Sequence, residues 1–382
     1  MKIVYYLPSL YMSGGLERII TFKANYFADN LGYEITILTS EQNGKEPYYK
    51  LSSKVGHVDL SVCFDRTEKH QSYLLKVVQY PFKYYLFKKR FKQFLLQYKP
   101  DITISTLRRE LNFLNTINDG SVKIGEFHVT RYSFHTNLVE GGNPIKNFLK
   151  KKWDKQFLDN LSKLSRFVLL TEEEKANWPE LSNTMVINNP LPFFPDTTSD
   201  CTNKKVIAVG RYSYQKGFDM LIDSWKLVNE KHPEWSLSIY GEGDRESLMN
   251  QILKLNIEKS CFLEEPVTTI TDKYVESSIF VLSSRFEGFG MVIVEAMACG
   301  VPPVSFACPC GPKDIIKHET DGLLVETGDI KALASSICLL IENEEMRKNM
   351  GTQARISSKR FDMETIGKQW ESLFESLITS KN

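Results

Sequence analysis

The fold of this chain is decided by one stretch, Ser283-Ser-Arg-Phe-Glu287-Gly-Phe-Gly-Met-Val-Ile-Val-Glu295-Ala-Met-Ala-Cys-Gly300. The apolar run Ser278-Ile-Phe-Val-Leu282 before it predicts a short buried strand. The second half of the stretch predicts a helix of about nine residues, which ends at Gly300 before two prolines. Because the loop between strand and helix is rich in glycine, backbone N–H groups are left free in front of the helix. They predict a site for an anion.

Two carboxylates accompany this loop. Glu287 lies within it, and Glu295 lies about one turn inside the predicted helix. Glycine loops before helices are common, so the discriminating features are the spacing of the two acids and the ending Ala-Met-Ala-Cys-Gly. The alternative is that both acids are ordinary residues of a helix start, where the helix dipole favours negative charge.

The stretch resembles the E-x7-E signature of family 4 of the retaining glycosyltransferases, which have the GT-B fold and use sugar nucleotides. Further matches lie in order around it: Val209-Gly-Arg211-Tyr-Ser-Tyr-Gln-Lys216-Gly-Phe, Tyr240-Gly-Glu-Gly243, Ser305-Phe-Ala-Cys-Pro-Cys-Gly-Pro312 and Asp321-Gly-Leu-Leu-Val. In the N-terminal half the resemblance is carried by the Gly14-Gly15 loop. The resemblance implies an α/β protein with two doubly wound, Rossmann-like domains that face a central cleft. It also implies a C-terminal helix that crosses back to the first domain.

Length and composition agree with two domains. The chain has 382 residues, about twice the length of a usual domain. A proline-rich segment at 188–200 changes the composition abruptly and predicts an interdomain linker. We therefore expect an acceptor-binding domain at 1–192, joined by the C-terminal helix at 363–382, and a domain that binds the donor at 200–360.

Apolar runs alternate with helical patterns in both halves, which predicts parallel sheets covered by helices. The predicted strands of the first half are 3–7, 35–38, 102–104, 122–124, 167–170 and 185–187. Those of the second half are 206–209, 235–239, 261–263, 279–282 and 304–306. Ligands of such sheets gather at the carboxyl ends of the strands.

Charge is distributed unevenly along the chain. Residues 1–195 hold 27 Lys and Arg against 19 Asp and Glu, whereas the remainder holds 21 against 28. The basic first half predicts an anionic partner, for which a phosphorylated acceptor, a membrane surface and nucleic acid are all suitable.

A basic and aromatic segment runs from Tyr73 to Lys99 and contains no acidic residue. Basic amphipathic helices of this type lie on anionic membranes. Base stacking on nucleic acid is an alternative, although no nucleic-acid motif occurs elsewhere in the chain. The plainest interpretation is a solvated helix packed on the first sheet. A similar basic run lies at 146–155.

The cysteines and the chain start indicate a cytoplasmic protein. The seven cysteines are scattered, and Cys308-Pro-Cys310 has a shorter spacing than the usual zinc-binding pair, so we expect buried thiols without metal or disulfide. The start has too short an apolar run for a secretory signal, and no segment has the apolar length of a membrane span. We expect a cytoplasmic location, with peripheral contact to the inner face of the cytoplasmic membrane as a further possibility.

Arg211 and Lys216 are the candidates for stabilising a leaving diphosphate. Transfer of a sugar from a nucleoside diphosphate creates negative charge on the departing phosphate, and the protein must hold that charge. A rigid guanidinium fork and a mobile ammonium suit two neighbouring phosphates. By resemblance these residues are the diphosphate-binding pair, Glu295 binds the ribose hydroxyls, and Glu287 contacts sugar hydroxyls or gives electrostatic support. The plainer alternative is that Arg211 and Lys216 are solvated loop cations.

Backbone groups complete the predicted donor site in the second domain. The resemblance implies that N–H groups of the glycine loop meet sugar or phosphate oxygens, namely those of Gly288, Phe289, Gly290 and Met291. It also implies that the backbone at Val267 meets the nucleobase. No metal ligand is expected.

In the first domain, Gly14 and Gly15 predict a close backbone approach to the diphosphate, with a plain tight turn as the alternative. His128 follows a predicted strand, at a position where family members carry a histidine close to the donor sugar. A lone histidine is also often structural.

The resemblance implies a retaining, metal-independent transfer of a hexose or N-acetylhexosamine from a UDP-sugar, with no cofactor. The segment Cys-Pro-Cys-Gly-Pro is similar to the subset that builds bacterial surface glycans, so we expect a lipid-linked acceptor such as lipopolysaccharide, O-antigen or capsule. Three alternatives stay open: a GDP-mannose-dependent mannosyltransferase, a UDP-sugar 2-epimerase and a non-catalytic GT-B partner protein. The epimerases lack this arrangement of Arg211, Lys216 and E-x7-E, and a decayed site has no reason to retain these charged positions.

Overall fold

The computed structural model describes residues 1–64, 73–131 and 144–381, with side chains described for all of these except 73–77, 144–146 and 148–150. The chain divides into two compact units. The first consists of Met1–Leu170, Glu174–Pro190 and Met363–Asn382, and the second of Thr171–Glu173 and Leu191–Asp362. The C-terminal segment therefore belongs to the unit that contains the N-terminus.

A seven-stranded parallel sheet forms the centre of the first unit within its described residues. Its strands are β1 Lys2–Tyr6, β2 Glu34–Thr39, β3 Val55–Asp59, β4 Ile102–Ser105, β5 Val122–Glu126, β6 Arg166–Leu169 and β7 Thr184–Val186. They lie in the order β3-β2-β1-β4-β5-β6-β7, and each neighbouring pair is parallel. The order reverses between β1 and β4, which is where doubly wound sheets place their ligands.

The inner strands of this sheet are buried on both faces because helices cover both sides. Alternate residues of β1 point into different cores: Ile3 and Tyr5 into one, Val4 and Tyr6 into the other. The helices in the first part of the chain are α1 Gly15–Asp29, α2 Tyr73–Tyr98, α3 Leu111–Leu114, α4 Pro144–Ser162 and α5 Glu172–Ala176.

The second unit repeats this design with six parallel strands. They are β8 Lys205–Val209, β9 Ser236–Tyr240, β10 Cys261–Glu264, β11 Ile279–Leu282, β12 Pro303–Phe306 and β13 Leu323–Val325, in the order β10-β9-β8-β11-β12-β13. The helices are α6 Phe218–Lys231, α7 Glu246–Lys254, α8 Ile270–Val275, α9 Met291–Ala298, α10 Pro312–Ile315, α11 Ile330–Glu342 and α12 Glu344–Ser358. Two 3₁₀ turns, Tyr214–Lys216 and Lys359–Phe361, complete it.

The last helix, α13 Met363–Thr379, packs on α1 in the first unit. The Phe374 ring lies 5.6 Å from the Phe27 ring and the Trp370 ring 6.4 Å from it, both edge to face. Two parallel-sheet, Rossmann-like units with a C-terminal helix on the first confirm the predicted α/β, GT-B fold class. Within the described residues, no helix combines the length and the apolar character that crossing a bilayer requires.

Candidate active site

The loop between β11 and α9 has the shape that its sequence predicts. The four residues of β11 are fully buried, and the chain leaves the sheet at Ser283 and Ser284. Gly290 has a φ of 94°, a left-handed conformation that glycine adopts without strain, and α9 begins directly after it. Glu287 lies in this loop and Glu295 within α9.

Four consecutive backbone N–H groups of this loop are unused. Among the described residues, none of the N–H groups of Gly288, Phe289, Gly290 and Met291 makes a hydrogen bond. These are the backbone groups that the sequence predicts as donor-binding. Unused N–H groups in a turn before a helix form a favourable environment for an anion.

Lys216 and Glu287 form an ion pair in this loop region. The Lys216 Nζ lies 2.7 Å from Glu287 Oε1, and the two side chains are only 14% and 7% exposed. The Ser284 hydroxyl donates a second hydrogen bond of 2.5 Å to the same carboxylate oxygen. The structure thus joins two of the predicted site residues directly, although they lie on different loops.

The backbone of the Lys216 turn is fastened to the loop after β11. Ser283 Oγ donates to the Lys216 carbonyl at 2.9 Å. Gly217 has a φ of 61°, and a Cβ atom at that position would clash with the Ser283 carbonyl oxygen. The Lys216 side chain runs over Gly210, where a Cβ would approach its Cε to 3.0 Å. Two glycines therefore make room for the position of this lysine.

Arg285 holds the same turn from the other side. Its guanidinium forms two hydrogen bonds with Asp219, of 2.9 and 2.6 Å, and stacks 4.0 Å from the centre of the Tyr214 ring. The hydrogen bond from Arg285 lowers the pKa of Asp219, although partial burial opposes this. Because Tyr214 begins the turn that carries Lys216, the Arg285 contacts fix that turn.

Arg211 lies on a loop that the next residue, Tyr212, holds in place. The Tyr212 hydroxyl lies 2.7 Å from the carbonyl oxygens of both Ile239 and Glu264, and burial raises its pKa to about 12. The Arg211 side chain itself is exposed, and it makes no hydrogen bond or ion pair with the residues that the structure describes. A guanidinium without a protein partner remains available to an anionic ligand.

Glu295 lies in a different environment from Glu287. It is 4% exposed, and its Oε2 lies 3.4 Å from the Tyr274 hydroxyl. The buried Cys299 thiol lies nearby, and burial together with the Glu295 charge raises the pKa of that thiol to about 12. The sequence groups the two glutamates as a pair, whereas the structure gives them different partners.

The Cys308-Pro-Cys310 segment forms the neighbouring loop. The Glu287 N–H donates to the Pro309 carbonyl at 3.1 Å, and Gly311 has a φ of 124° in close contact with the Phe289 carbonyl. None of the cysteines in the described part of the chain forms a disulfide, and all of them are buried except Cys63, which is half-buried. Burial raises the pKa of the Cys308 thiol well above its usual range.

Predicted residues of the first unit lie after β1 and β5. Gly14 and Gly15 occupy the start of α1, and the Glu17 carboxylate folds back over Gly14. His128 lies two residues after β5, with its Nε2 atom 3.1 Å from Glu126 Oε1.

In the second unit, Val267 is 38% exposed in the loop after β10. The Phe289 side chain packs on Phe361, and the Phe289 backbone remains available to a ligand.

Two functional candidates were not predicted from the sequence. Ser284 lies three residues before Glu287 and shares its carboxylate, a contact that only the loop conformation creates. Glu126 contacts His128, and the signal available in the sequence was an acid at the end of a strand followed by a histidine.

The second unit thus presents cations, free N–H groups and a buried carboxylate at the carboxyl ends of β8 and β11. Such a set can bind an anionic group that is attached to a hydroxyl-bearing molecule.

Comparisons with known proteins agree with this chemistry. Residues 193–357 match the family model described as glycosyl transferases group 1. The chain is 27% identical over 379 residues to an uncharacterized glycosyltransferase of Haemophilus influenzae, with 97% of this chain and 99% of the relative covered. It is 26% identical to the amylovoran biosynthesis glycosyltransferase AmsD of Erwinia amylovora, with 97% and 99% covered.

A third relative is the GalNAc-alpha-(1->4)-GalNAc-alpha-(1->3)-diNAcBac-PP-undecaprenol alpha-1,4-N-acetyl-D-galactosaminyltransferase of Campylobacter jejuni, 27% identical with 98% of each chain covered. Among solved structures, a TarM mutant of S. aureus in complex with fondaparinux, alpha-GlcNAc-glycerol and UDP superposes with a TM-score of 0.76 at 18% identity, covering 98% of this chain and 99% of that one. Sucrose-phosphate synthase from Thermosynechococcus elongatus gives 0.80 at 17%, with 99% of each covered. The structural likeness shows the fold, and the family model and the names of the relatives support a glycosyltransferase.

Proposed function

We propose that this chain is a retaining glycosyltransferase that moves a hexose or N-acetylhexosamine from a UDP-sugar to a surface glycan under construction. The observation that carries the proposal is the Lys216–Glu287 ion pair beside four unused N–H groups. The names of the relatives supply the acceptor class: one acts in amylovoran biosynthesis and another on an undecaprenol-linked glycan. The TarM structure, a neighbour in fold, holds UDP.

The residues of the second unit have separate tasks in this proposal. Breakage of the bond between the anomeric carbon and the phosphate oxygen leaves negative charge on the diphosphate. Lys216 and Arg211 stabilise that charge, together with the glycine-loop N–H groups. Glu287 orients the Lys216 ammonium and accepts a hydrogen bond from a hydroxyl of the donor sugar. Glu295 accepts hydrogen bonds from the ribose hydroxyls. Because protein cations neutralise the leaving group, no metal or other cofactor is needed.

The same proposal gives roles to residues of the first unit. Gly14 and Gly15 allow a close backbone approach to the diphosphate, and His128 contacts the donor sugar. Retention requires that the acceptor hydroxyl attack the face from which the diphosphate leaves. The acceptor then binds beside the leaving phosphate.

The experiment is to incubate the purified protein with UDP-sugars and GDP-sugars and to measure nucleotide release. We expect release from one or more UDP-sugars, and an acceptor glycan that accelerates it. The NMR coupling of the anomeric proton in the product then reports retention. Release from GDP-mannose alone would favour a mannosyltransferase, and a free epimerised sugar would favour an epimerase. No release and no thermal shift with any nucleotide would favour a non-catalytic partner.

We further propose that α2 rests on an anionic membrane, at the inner face of the cytoplasmic membrane where lipid-linked acceptors are present. Val78, Phe82 and Tyr85 are 74%, 69% and 62% exposed and share one helix face. The same face continues through Lys89 and Lys92, while the opposite face, with Phe87, Phe91 and Leu95, is fully buried in the core. Exposed apolar residues followed by cations suit the boundary of an anionic bilayer.

The structure changes which residues of this helix should be tested. Arg90 donates hydrogen bonds to the carbonyls of Leu60 and Ser61, so it has a structural task within the first unit. The side chains of Lys76, Lys146 and Lys150 lie outside the described side chains.

Sedimentation with vesicles tests the membrane proposal. Phe82→Ser with Tyr85→Ser, and separately Lys89→Gln with Lys92→Gln, should weaken binding to vesicles that contain phosphatidylglycerol. Each cation near such a surface contributes about 1 kcal/mol, so the double lysine variant should bind about 30-fold more weakly. Lys226→Gln with Lys254→Gln, on the second unit, is the matched control. Equal sedimentation of all these proteins would contradict the membrane proposal and favour the interpretation of α2 as a solvated helix.

A further inference from the structure

A buried ion pair lies at the carboxyl end of β5. It joins Lys23 of α1 to Glu126, the last residue of β5, and each side chain is 1% exposed. The Tyr5 hydroxyl donates a hydrogen bond of 2.9 Å to the other carboxylate oxygen. The free-energy cost of removing two charged groups from water offsets most of the attraction between them. A buried ion pair is therefore weak evidence for a stabilising role. Another role for Glu126 should therefore be considered.

His128 lies on the same side of the chain as Glu126. Phe127, between them, points into the opposite core with Phe167 and Trp178. Because side chains alternate along an extended chain, Glu126 and His128 face the same way. The His128 side chain is 10% exposed, and its Nε2 atom lies 3.1 Å from Glu126 Oε1 in an approach that is not fully aligned for a hydrogen bond.

The charge of Glu126 is stabilised by this environment. Burial alone would raise its pKa, but the Lys23 ammonium and His128 outweigh burial and hold the pKa at about 2. Burial lowers the pKa of Lys23, and Glu126 opposes that shift. The ammonium also lies 4.6 Å from the centre of the Trp370 ring and 5.4 Å from that of Tyr5, as favourable cation–π geometry requires.

We propose that Glu126 is a positioning residue for His128: the carboxylate, neutralised from behind by Lys23, holds the imidazole by its Nε2 atom at the carboxyl end of β5. A carboxylate at Nε2 selects the neutral tautomer that carries its proton there, and it leaves Nδ1 as the acceptor. The inference rests on the proposed contact of His128 with the donor sugar. The inference also assigns a role to Lys23. Its ammonium balances the charge of Glu126 in a buried position that water does not solvate.

Kinetics of three variants test the inference. Glu126→Gln keeps the shape but leaves the Lys23 ammonium without its counterion, so it also loses stability. Lys23→Met with Glu126→Gln removes both charges and should fold. We expect this double variant to recover thermal stability while its kcat stays 10- to 100-fold below that of the wild type, with KM for the UDP-sugar within threefold. Tyr5→Phe, which removes a hydrogen bond to the other oxygen only, should keep kcat within threefold.

The ring nitrogens of His128 give a readout that a structural role would not move. In protein labelled with ¹⁵N-histidine, the His128 signals are assigned by their loss in His128→Gln. We expect the wild type to show the tautomer protonated at Nε2, and the double variant to show a mixture. An unchanged His128 spectrum in the double variant would overturn the inference.

A mutant cycle separates this inference from the proposed function. If His128→Ala lowers kcat, the pair of substitutions at Lys23 and Glu126 should add no further loss in that background. A full additional loss there would mean that Glu126 acts by another route, and the positioning role would be rejected. If His128→Ala is fully active on a UDP-sugar, the contact of His128 with the donor is wrong although the glycosyltransferase activity stands.

Discussion

The Lys216 ammonium is held on one side only. Of its three possible donors, one is directed at Glu287 Oε1, which also accepts the Ser284 hydroxyl. The remaining two are free to meet phosphate oxygens without breaking the ion pair. In the proposed function, Glu287 pre-orients the lysine, which reduces the entropy that would otherwise be lost when a diphosphate binds.

Substitution of Lys216 is the sharpest test at this scale. Lys216→Ala should lower kcat by about 100-fold or more, because one preorganised donor to developing charge contributes that much in other enzymes. Lys254→Ala, which removes an exposed lysine from the end of α7, should leave kcat unchanged. Initial rates of nucleotide release measure both. Near-normal turnover of Lys216→Ala would remove this residue from the mechanism.

The Lys23–Glu126 pair predicts how stability depends on pH. The pKa of Glu126 is about 2 in the folded chain against an ordinary value of 4.5, so its stabilising contribution is present above pH 4.5. It is lost as pH falls from 4.5 towards 2. We expect Lys23→Met with Glu126→Gln to lose stability less steeply than the wild type over this range.

Urea unfolding at a series of pH values measures this slope. Tyr5→Phe retains the ion pair and should follow the wild-type dependence. Parallel curves for the wild type and the double variant would show that Glu126 does not contribute to acid unfolding.

At the residue scale, the sequence indicates which side chains meet in the second unit better than it does in the first. Lys216 and Glu287 lie in stretches that resemble family motifs, and their meeting follows from two adjacent parallel strands, β8 and β11. Nothing in the sequence pairs Lys23 with Glu126, because they are 103 residues apart and a lysine on an otherwise apolar helix face usually extends to solvent.

At the scale of elements, two glycine turns bring separate loops together. Gly217 lets the Lys216 turn approach Ser283, and Gly311 lets the loop after β12 approach Phe289. Each has a positive φ and a close backbone neighbour, so a side chain there would be both strained and obstructed. The anion site therefore depends on residues that carry no functional group.

Gly311→Ala tests this dependence. The added methyl group would meet the Phe289 carbonyl, so the glycine loop that carries the unbonded N–H groups must shift. We expect affinity for UDP to fall at least tenfold, measured by isothermal titration calorimetry. Gly328→Ala is the matched control, because Gly328 also has a positive φ, of 85°, but has no atom near its missing Cβ. UDP affinity that is equal in both variants would contradict the role of close approach.

Two strands escaped prediction, and both lie at sheet edges. β3, with the sequence Val-Gly-His-Val-Asp, is largely polar and partly exposed, and β13 has only three residues. An edge strand has one neighbour and need not be apolar on both faces, so its sequence lacks the continuous apolar run that marks the central strands. The central strands β1, β8 and β11 are apolar throughout most of their length, and all three were predicted.

At the scale of the whole molecule, the first unit depends on the last helix of the chain. Phe374 and Trp370 are fully buried in the same core as residues of β1 and α1. The unit is therefore completed only when the C-terminal segment is present. The sequence predicts an amphipathic helix at this position, but it was the resemblance to the GT-B family that indicated which unit the helix joins.

Phe374→Ala should destabilise the first unit selectively. Phe374 is fully buried and its ring contacts those of Phe27, Tyr33 and Trp370. Truncation of a buried phenylalanine costs about 3–5 kcal/mol, and part of this is the cavity that remains. Because the contacts lie with α1 and the sheet behind it, we expect faster proteolysis within residues 1–190, read by mass spectrometry after short exposure to protease in mild urea. Met350→Ala, in α12, is the matched control: Met350 is 3% exposed, and its loss should direct cleavage to residues 191–362 instead. If Phe374→Ala frees only α13 for cleavage while residues 1–190 stay protected, the last helix covers a core that is already stable, and the first unit is complete without it.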